Sequence, residues 1–202
     1  MPLHEERPGG WEDILSAPER ERAAAFTAEV GRVRYVRTRF ALRRILGGLL
    51  GVEPAAVAID LDPGGKPVLA DGALEFNHAH TDGLALVAVA RGTPVGIDVE
   101  REGRRSDFRA IAARFFASQE RVFLEQEETE ERFLQLWTRK EAVLKAAGTG
   151  LAGGMETFCV ASRDGWHDGL VFEERGYVVR DIAVPEGYRA ALAVLAAERE
   201  VR

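Results

Sequence analysis

Trp137-Thr138-Arg139-Lys140-Glu141-Ala142-Val143-Leu144-Lys145 reads as a helix that carries charge toward a face it should bury. At roughly 100° per residue, Phe133, Trp137 and Leu144 share one arc, Lys140 and Glu141 lie at its edges, and Lys145 stands one turn beyond Glu141. An exposed Glu to Lys pair at this spacing adds only about 0.2 to 0.5 kcal/mol to a helix. Taken alone, the stretch is satisfied by a surface ion pair.

A second acidic cluster lies upstream, in Pro94-Val95-Gly96-Ile97-Asp98-Val99-Glu100. Its alternation predicts a strand with Val95, Ile97 and Val99 on one side and Gly96, Asp98 and Glu100 on the other. Two carboxylates then project from one face about 7 Å apart. Like charges so placed repel unless water, a cation or a basic ligand lies between them. Mg²⁺ prefers hard oxygen ligands of this kind. Asp98, Glu100 and Glu141 are therefore a candidate metal-binding set that leaves positions for phosphate oxygens and water.

Composition frames the site. The chain has 202 residues, 46% of them hydrophobic, enough for a sizeable core in one domain or two small ones. A net charge of -6 argues against wholesale binding to nucleic acid or anionic membrane. The single cysteine, Cys159, excludes a disulfide within the chain and reads as a packed thiol. No apolar run reaches bilayer length, and Met1-Pro2-Leu3-His4-Glu5-Glu6 lacks a signal pattern, so the cytoplasm is the expected compartment.

Ser16-Ala17-Pro18-Glu19 has the cap and early proline of a helix start. A long amphipathic helix follows, with Val33, Val36, Phe40, Leu42, Ile45, Leu46, Leu49 and Leu50 before Gly51 and Pro54 stop it. Its other face holds Arg32, Arg34, Arg37, Arg39, Arg43 and Arg44, which predicts a solvated basic face able to meet an acidic partner. Strands are expected at Val57 to Leu61, before the turn Asp62-Pro63-Gly64-Gly65, and at 74–78 and 84–90, the last apolar throughout and so central. After a charged linker at 101–107 come helices through Phe108 to Phe116 and from a cap at Ser118, then the helix of Glu141. Strands near 157–161, 170–173, 177–184 and 188–196 close the chain.

Thr38-Arg39-Phe40-Ala41-Leu42-Arg43-Arg44-Ile45-Leu46-Gly47 echoes the segment from Thr138 to Gly148. Each is a helix followed by strands ending in a long apolar one. The expected fold is thus α+β, two similar halves, 1–100 and 101–202, each a small antiparallel sheet packed on a long helix. The acidic strand and the helix of Glu141 would meet at the seam, where ligand clefts tend to form.

Together, Gly96-Ile97-Asp98-Val99-Glu100 and the 137–145 stretch resemble the signature of the 4'-phosphopantetheinyl transferases of the surfactin-synthetase-activating type. Further stretches match in order: Pro18-Glu19-Arg20-Glu21-Arg22, Gly65-Lys66-Pro67, Phe76-Asn77-His78-Ala79-His80, and Arg114-Phe115-Phe116-Ala117-Ser118-Gln119-Glu120. The resemblance implies Mg²⁺-dependent transfer of the 4'-phosphopantetheine arm from coenzyme A to a serine of an acyl or peptidyl carrier protein, converting apo to holo carrier. Mn²⁺ is an alternative metal.

It further implies that Asp98, Glu100 and Glu141 hold the metal, that Glu141 is the general base, and that Lys145 assists the departing phosphate. Arg22, Lys66, Asn77 and His80 would bind coenzyme A. His78 and His80 have a spacing that also suits zinc, but no third ligand lies nearby, and His78 occupies an apolar slot. Ala79 stands where the family often has Ser, which removes one hydroxyl contact. The implied enzyme is a cytoplasmic monomer whose partner is an acidic carrier domain. The basic face around Arg39 and Arg43, or Phe115-Phe116, is the expected docking contact. Two other readings use the same residues: a metal-dependent nucleotide pyrophosphohydrolase and a non-catalytic coenzyme A-binding module. The fatty-acid, polyketide or nonribosomal-peptide pathway stays open.

Overall fold

The cap signal at Ser16 operates as a reciprocal box in the structure, a computed structural model that describes residues 10–103, 107–150, 154–163 and 165–196. Ser16 Oγ accepts from the Glu19 N–H at 3.4 Å and Glu19 Oε2 accepts from the Ser16 N–H at 2.9 Å, which starts α1 (Ala17–Ala24). Helix α2 (Glu29–Leu50) runs to Gly51, whose φ of 71° supplies the left-handed C-terminal turn. By contact the chain divides into two compact units, Met1–Ile59 and Asp60–Arg202.

The first unit packs Trp11, Leu15, Ala23, Val36 and Phe40 into one cluster. Here one expectation is overturned. Arg43 is 1% exposed rather than solvated. Its Nε meets Glu19 Oε2 at 2.6 Å, and its Nη1 donates to Val57 O at 2.9 Å and Pro54 O at 3.1 Å. A buried guanidinium needs this degree of saturation. Glu19 therefore caps α1 and neutralises α2 at once, and Arg43 has no surface to offer a partner.

The boundary between the units falls inside β1 (Ile59–Leu61), which pairs with β2 (Pro67–Leu69) as a hairpin at the start of the second unit. The turn between them is drawn tight by Asp62, whose Oδ1 accepts from Lys66 N at 2.8 Å and whose carbonyl accepts from Gly65 N at 2.9 Å. Strands β3 (Glu75–Thr81) and β4 (Leu84–Ala90) form an antiparallel pair. The apolar β4 is not central. Among the described residues it hydrogen-bonds to β3 alone, and most of its side chains are only partly covered.

The larger sheet has the order β5 (Val95–Arg101), β8 (Tyr188–Leu195), β7 (Arg175–Asp181), β6 (Trp166–Phe172), all antiparallel. The compact units part at residues 59 and 60, while β5, near the seam expected at residue 101, pairs with β8. Helices α3 (Phe108–Phe115), α4 (Ser118–Glu125) and α5 (Glu130–Ala147) follow β5 in the chain. Ser118 is the first residue of α4 rather than its cap.

Helix α5 lies directly on β5. A Cβ at Gly96 would fall 2.0 Å from Ala142 O and 2.4 Å from Ala146 N, so only glycine permits this approach. Val95, Ile97 and Val99 on the opposite face pack with Ala79, Ala88 and Ala190. Both faces of β5 are thus covered, and Asp98 on the side that meets α5 is buried rather than solvated.

The expected strand near 157–161 is absent. Residues Met155–Thr157 form a 3-10 turn, and the segment's carbonyls serve charged side chains of α5 instead of a ladder. Lys140 Nζ donates to Met155 O and Phe158 O, both at 2.6 Å, and Arg139 Nη1 donates to Val160 O and Ser162 O, both at 3.0 Å. Phe158 and Val160 point into the core, which is why the segment has a strand-like apolar pattern. Phe116 is also buried, at 1% exposure, so it offers no docking surface.

Candidate functional site

The alternation of β5 and the period of α5 bring their charged residues to one interface. Asp98 and Glu100 lie on the Gly96 face, with Ala191 and Arg189 as their register partners on β8. Asp98 is buried, and its Oδ1 accepts from Lys145 Nζ at 2.6 Å; the same ammonium lies 3.3 Å from Ile97 O. Glu141 is half-buried one turn before Lys145. Burial pushes its carboxyl up to about 7, the nearby charge of Asp98 adds to this, Lys145 opposes it, and Glu100 adds further.

Glu141 therefore feels both upstream carboxylates. Among the described residues no three His, Cys, Asp or Glu side chains close into a ready ligand cage. The donor chemistry nevertheless fits a hard divalent cation. All three groups are carboxylates, and the Lys145 ammonium already provides one positive charge at Asp98. Asp98, Glu100 and Glu141 are the residues that would hold such an ion.

The other nominated residues are distributed differently. Lys66, expected at the coenzyme, directs its Nζ to Lys145 O at 2.9 Å. Asn77 is buried in β3, and its Oδ1 accepts from the Ile97 N–H at 2.9 Å, tying β3 to β5 next to Asp98. His80 is exposed on β3, whereas His78 is half-buried. Arg22 is exposed on α1, in the other compact unit.

Two side-chain contacts that anchor α5 had no local sequence signal. Arg139 forms a two-pronged pair with Asp181, Nε and Nη2 each 2.7 Å from a carboxylate oxygen, and Gln135 donates to the same carboxylate at 2.7 Å. A cavity of about 250 Å³ has Gln135, Thr138, Asp181, Val184, Tyr188 and Arg189 in its lining, but not Asp98, Glu100 or Glu141. Thr138 could have been found, because it precedes Glu141 by one turn of helix. Arg189 could not, because cross-strand register alone sets it opposite Glu100.

The raised Glu141 carboxyl has a thermodynamic consequence in metal-free protein. Its folded value of about 7 lies above its ordinary 4.5, so between the two the native state holds a proton that the unfolded chain releases. Stability then falls as pH rises through that window and stays lower above it. Thermal melts of metal-free protein from about pH 5 to about pH 8 should show this decline, and Glu141→Gln should flatten it. An equally steep decline in the variant would assign it to other groups.

A comparison with family models matches residues 94–193 to the 4'-phosphopantetheinyl transferase superfamily. The chain is 42% identical over 145 residues to the 4'-phosphopantetheinyl transferase HetI of Nostoc sp., an alignment covering 68% of this chain and 61% of that protein. It is 29% identical over 157 residues to a 4'-phosphopantetheinyl transferase of Bacillus subtilis, covering 76% of this chain and 69% of the relative. A further Bacillus subtilis protein, 4'-phosphopantetheinyl transferase ffp, is 26% identical over 200 residues, covering 95% and 87%. The chain thus spans about three fifths of the length of the Nostoc relative. Among the described residues no helix is long and apolar enough to cross a membrane.

Proposed function

The chain belongs to the 4'-phosphopantetheinyl transferase superfamily, and on that premise we propose that it moves the 4'-phosphopantetheine arm of coenzyme A onto a serine hydroxyl of an acyl or peptidyl carrier protein. The serine oxygen would bond to the β-phosphorus as the bond from that phosphorus to the bridging oxygen breaks. The products are holo carrier and adenosine 3',5'-bisphosphate. The observation that best supports this reading is the meeting of Asp98, Lys145 and Glu141 at the β5–α5 interface, with Glu141 pushed up to about 7.

Glu141 would accept the serine proton. A carboxylate made more basic by burial and by like charge is better suited to this than an exposed one. Lys145 would supply positive charge or a proton to the departing phosphate, a task that suits a compact ammonium. Asp98 holds that ammonium in place. Mg²⁺ or Mn²⁺ held by Asp98, Glu100 and Glu141 would offset charge on the pyrophosphate oxygens. His80, exposed on β3, is the proposed nucleotide contact. The repeat of a long helix followed by strands supports the two-half organisation, 1–100 and 101–202, as part of the same proposal.

The test supplies coenzyme A and Mg²⁺ with and without an apo carrier protein and follows bisphosphate release. Transfer requires release that depends on carrier and matches it mole for mole. Steady release without carrier would identify a pyrophosphohydrolase, and binding with no release in either arm would identify a coenzyme-binding module.

A further inference from the structure

Strand β5 is the end strand of its sheet, and its middle carries the buried Asp98. In an antiparallel pair, alternate residues turn their N–H and C=O away from the partner strand. Ile97, the residue before Asp98, is one of these: its N–H donates to Asn77 Oδ1 at 2.9 Å, and its carbonyl lies 3.3 Å from Lys145 Nζ. Ile97 is itself buried, so its N–H without that acceptor would be an orphaned donor in the interior.

Asn77 reaches this edge because of its place on β3. Asn77 and Ala79 alternate onto one face of the strand, and Ala79 packs with Val95, Ile97 and Val99 of β5. An asparagine suits the position, since its side-chain carbonyl presents the same acceptor as a backbone carbonyl and carries no charge. Only the oxygen can accept from an N–H, which fixes the orientation of the side-chain amide. Lys145 completes the arrangement, because the ammonium at Ile97 O also meets Asp98 Oδ1 at 2.6 Å. Ile97 is thus tied to β3 through its N–H and to α5 through its carbonyl, directly before the carboxylate of Asp98.

Resting on the transfer reading above, we infer that Asn77 is a positioning residue: its carbonyl takes the place of a neighbouring strand at the edge of β5 away from β8, and so fixes the Asp98 carboxylate and the Lys145 ammonium relative to each other. The NH2 of the same side chain takes no part in this bond. The role therefore adds to the coenzyme A contact expected for Asn77 and leaves it in place.

The test compares wild type with Asn77→Ala, which removes the acceptor, and Asn77→Asp, which keeps an acceptor oxygen but loses the NH2. In metal-free protein, native-state hydrogen exchange at the Ile97 amide should quicken at least about 10-fold in Asn77→Ala and stay within about threefold of wild type in Asn77→Asp. The Asp98 amide, which alternation turns toward β8, should stay within about threefold in both. Mn²⁺ binding, followed by electron paramagnetic resonance with saturating coenzyme A and no carrier, should weaken about 10- to 100-fold in Asn77→Ala, the scale for losing a group that orients a metal ligand, and recover in Asn77→Asp. The Mg²⁺ concentration for half-maximal carrier modification should move with it. Where Asn77→Ala does not fold, Asn77→Ser, polar but too short for the bond, carries the same expectations.

Unchanged exchange at Ile97 in Asn77→Ala would overturn the inference, and so would Mn²⁺ binding that stays within about threefold of wild type while that exchange quickens. Metal binding lost as fully in Asn77→Asp as in Asn77→Ala would overturn it too, by assigning the effect to the NH2. If wild type modifies no carrier, the transfer reading fails, and the exchange and Mn²⁺ comparisons still decide whether Asn77 sets the place of Asp98.

Discussion

Glu141→Gln is expected to yield a folded protein that has lost about 10²- to 10⁴-fold of its carrier-modifying activity, the usual contribution of a positioned general base. The amide keeps the size of the side chain but cannot take the serine proton, and it offers no anionic oxygen to a metal. The fold should not suffer. Glu141 is half-buried beside Asp98 and within reach of Glu100, and this setting already disfavours its charge, pushing the carboxyl up to about 7. Removing that charge should raise the melting temperature of metal-free protein near neutral pH. Time courses of carrier modification read beside thermal melts check both halves. Activity within tenfold of wild type would return Glu141 to the role of a helix ion pair.

Lys140→Met, one position away, should do the reverse and cost the fold about 3 to 5 kcal/mol, the scale for breaking a buried ion pair. Lys140 and Glu120 are both 0% exposed and 2.8 Å apart. Burial pulls the Lys140 ammonium down and the charge of Glu120 opposes this. The ammonium also donates to Met155 O and Phe158 O and lies 4.2 Å from the centre of the Phe158 ring. Glu120 in turn accepts from Ala117 N and Val160 N, both at 2.8 Å.

Methionine in place of Lys140 leaves the Glu120 charge buried and frees two carbonyls. Urea denaturation should record the loss, and the double variant Lys140→Met with Glu120→Gln should regain part of it, because the uncompensated carboxylate is gone. A loss below about 1 kcal/mol in the single variant would show that the pair contributes little. Adjacent residues of one helix thus take opposite parts. Lys140 turns inward to a core of carbonyls and rings, and Glu141 turns toward β5.

Local chemistry made much of the chain legible. Ser16, Pro18 and Gly51 bound two helices because capping and positive φ are short-range demands. The alternation of β5 set Asp98 and Glu100 on the face that meets α5. What was not legible depends on distant partners. Arg43 read as a surface charge, and only Glu19, 24 residues away, makes it a core residue, while the Asp181 partner of Arg139 had no local signal. Residues 157–161 read as a strand because Phe158 and Val160 are inward, whereas their carbonyls are engaged by Lys140 and Arg139. Lys66 and Asn77 carried a motif, but not the backbone groups of Lys145 and Ile97 that they bind.

Intact-mass measurement of a panel of apo carrier proteins, after incubation with this chain, coenzyme A and Mg²⁺, tests the central claim most directly. At least one carrier should gain a single phosphopantetheine on its serine, with none gained when Mg²⁺ is chelated or Glu141→Gln is used. A panel left at its apo mass by folded, coenzyme-binding wild type, or modified equally well by Glu141→Gln, would contradict it.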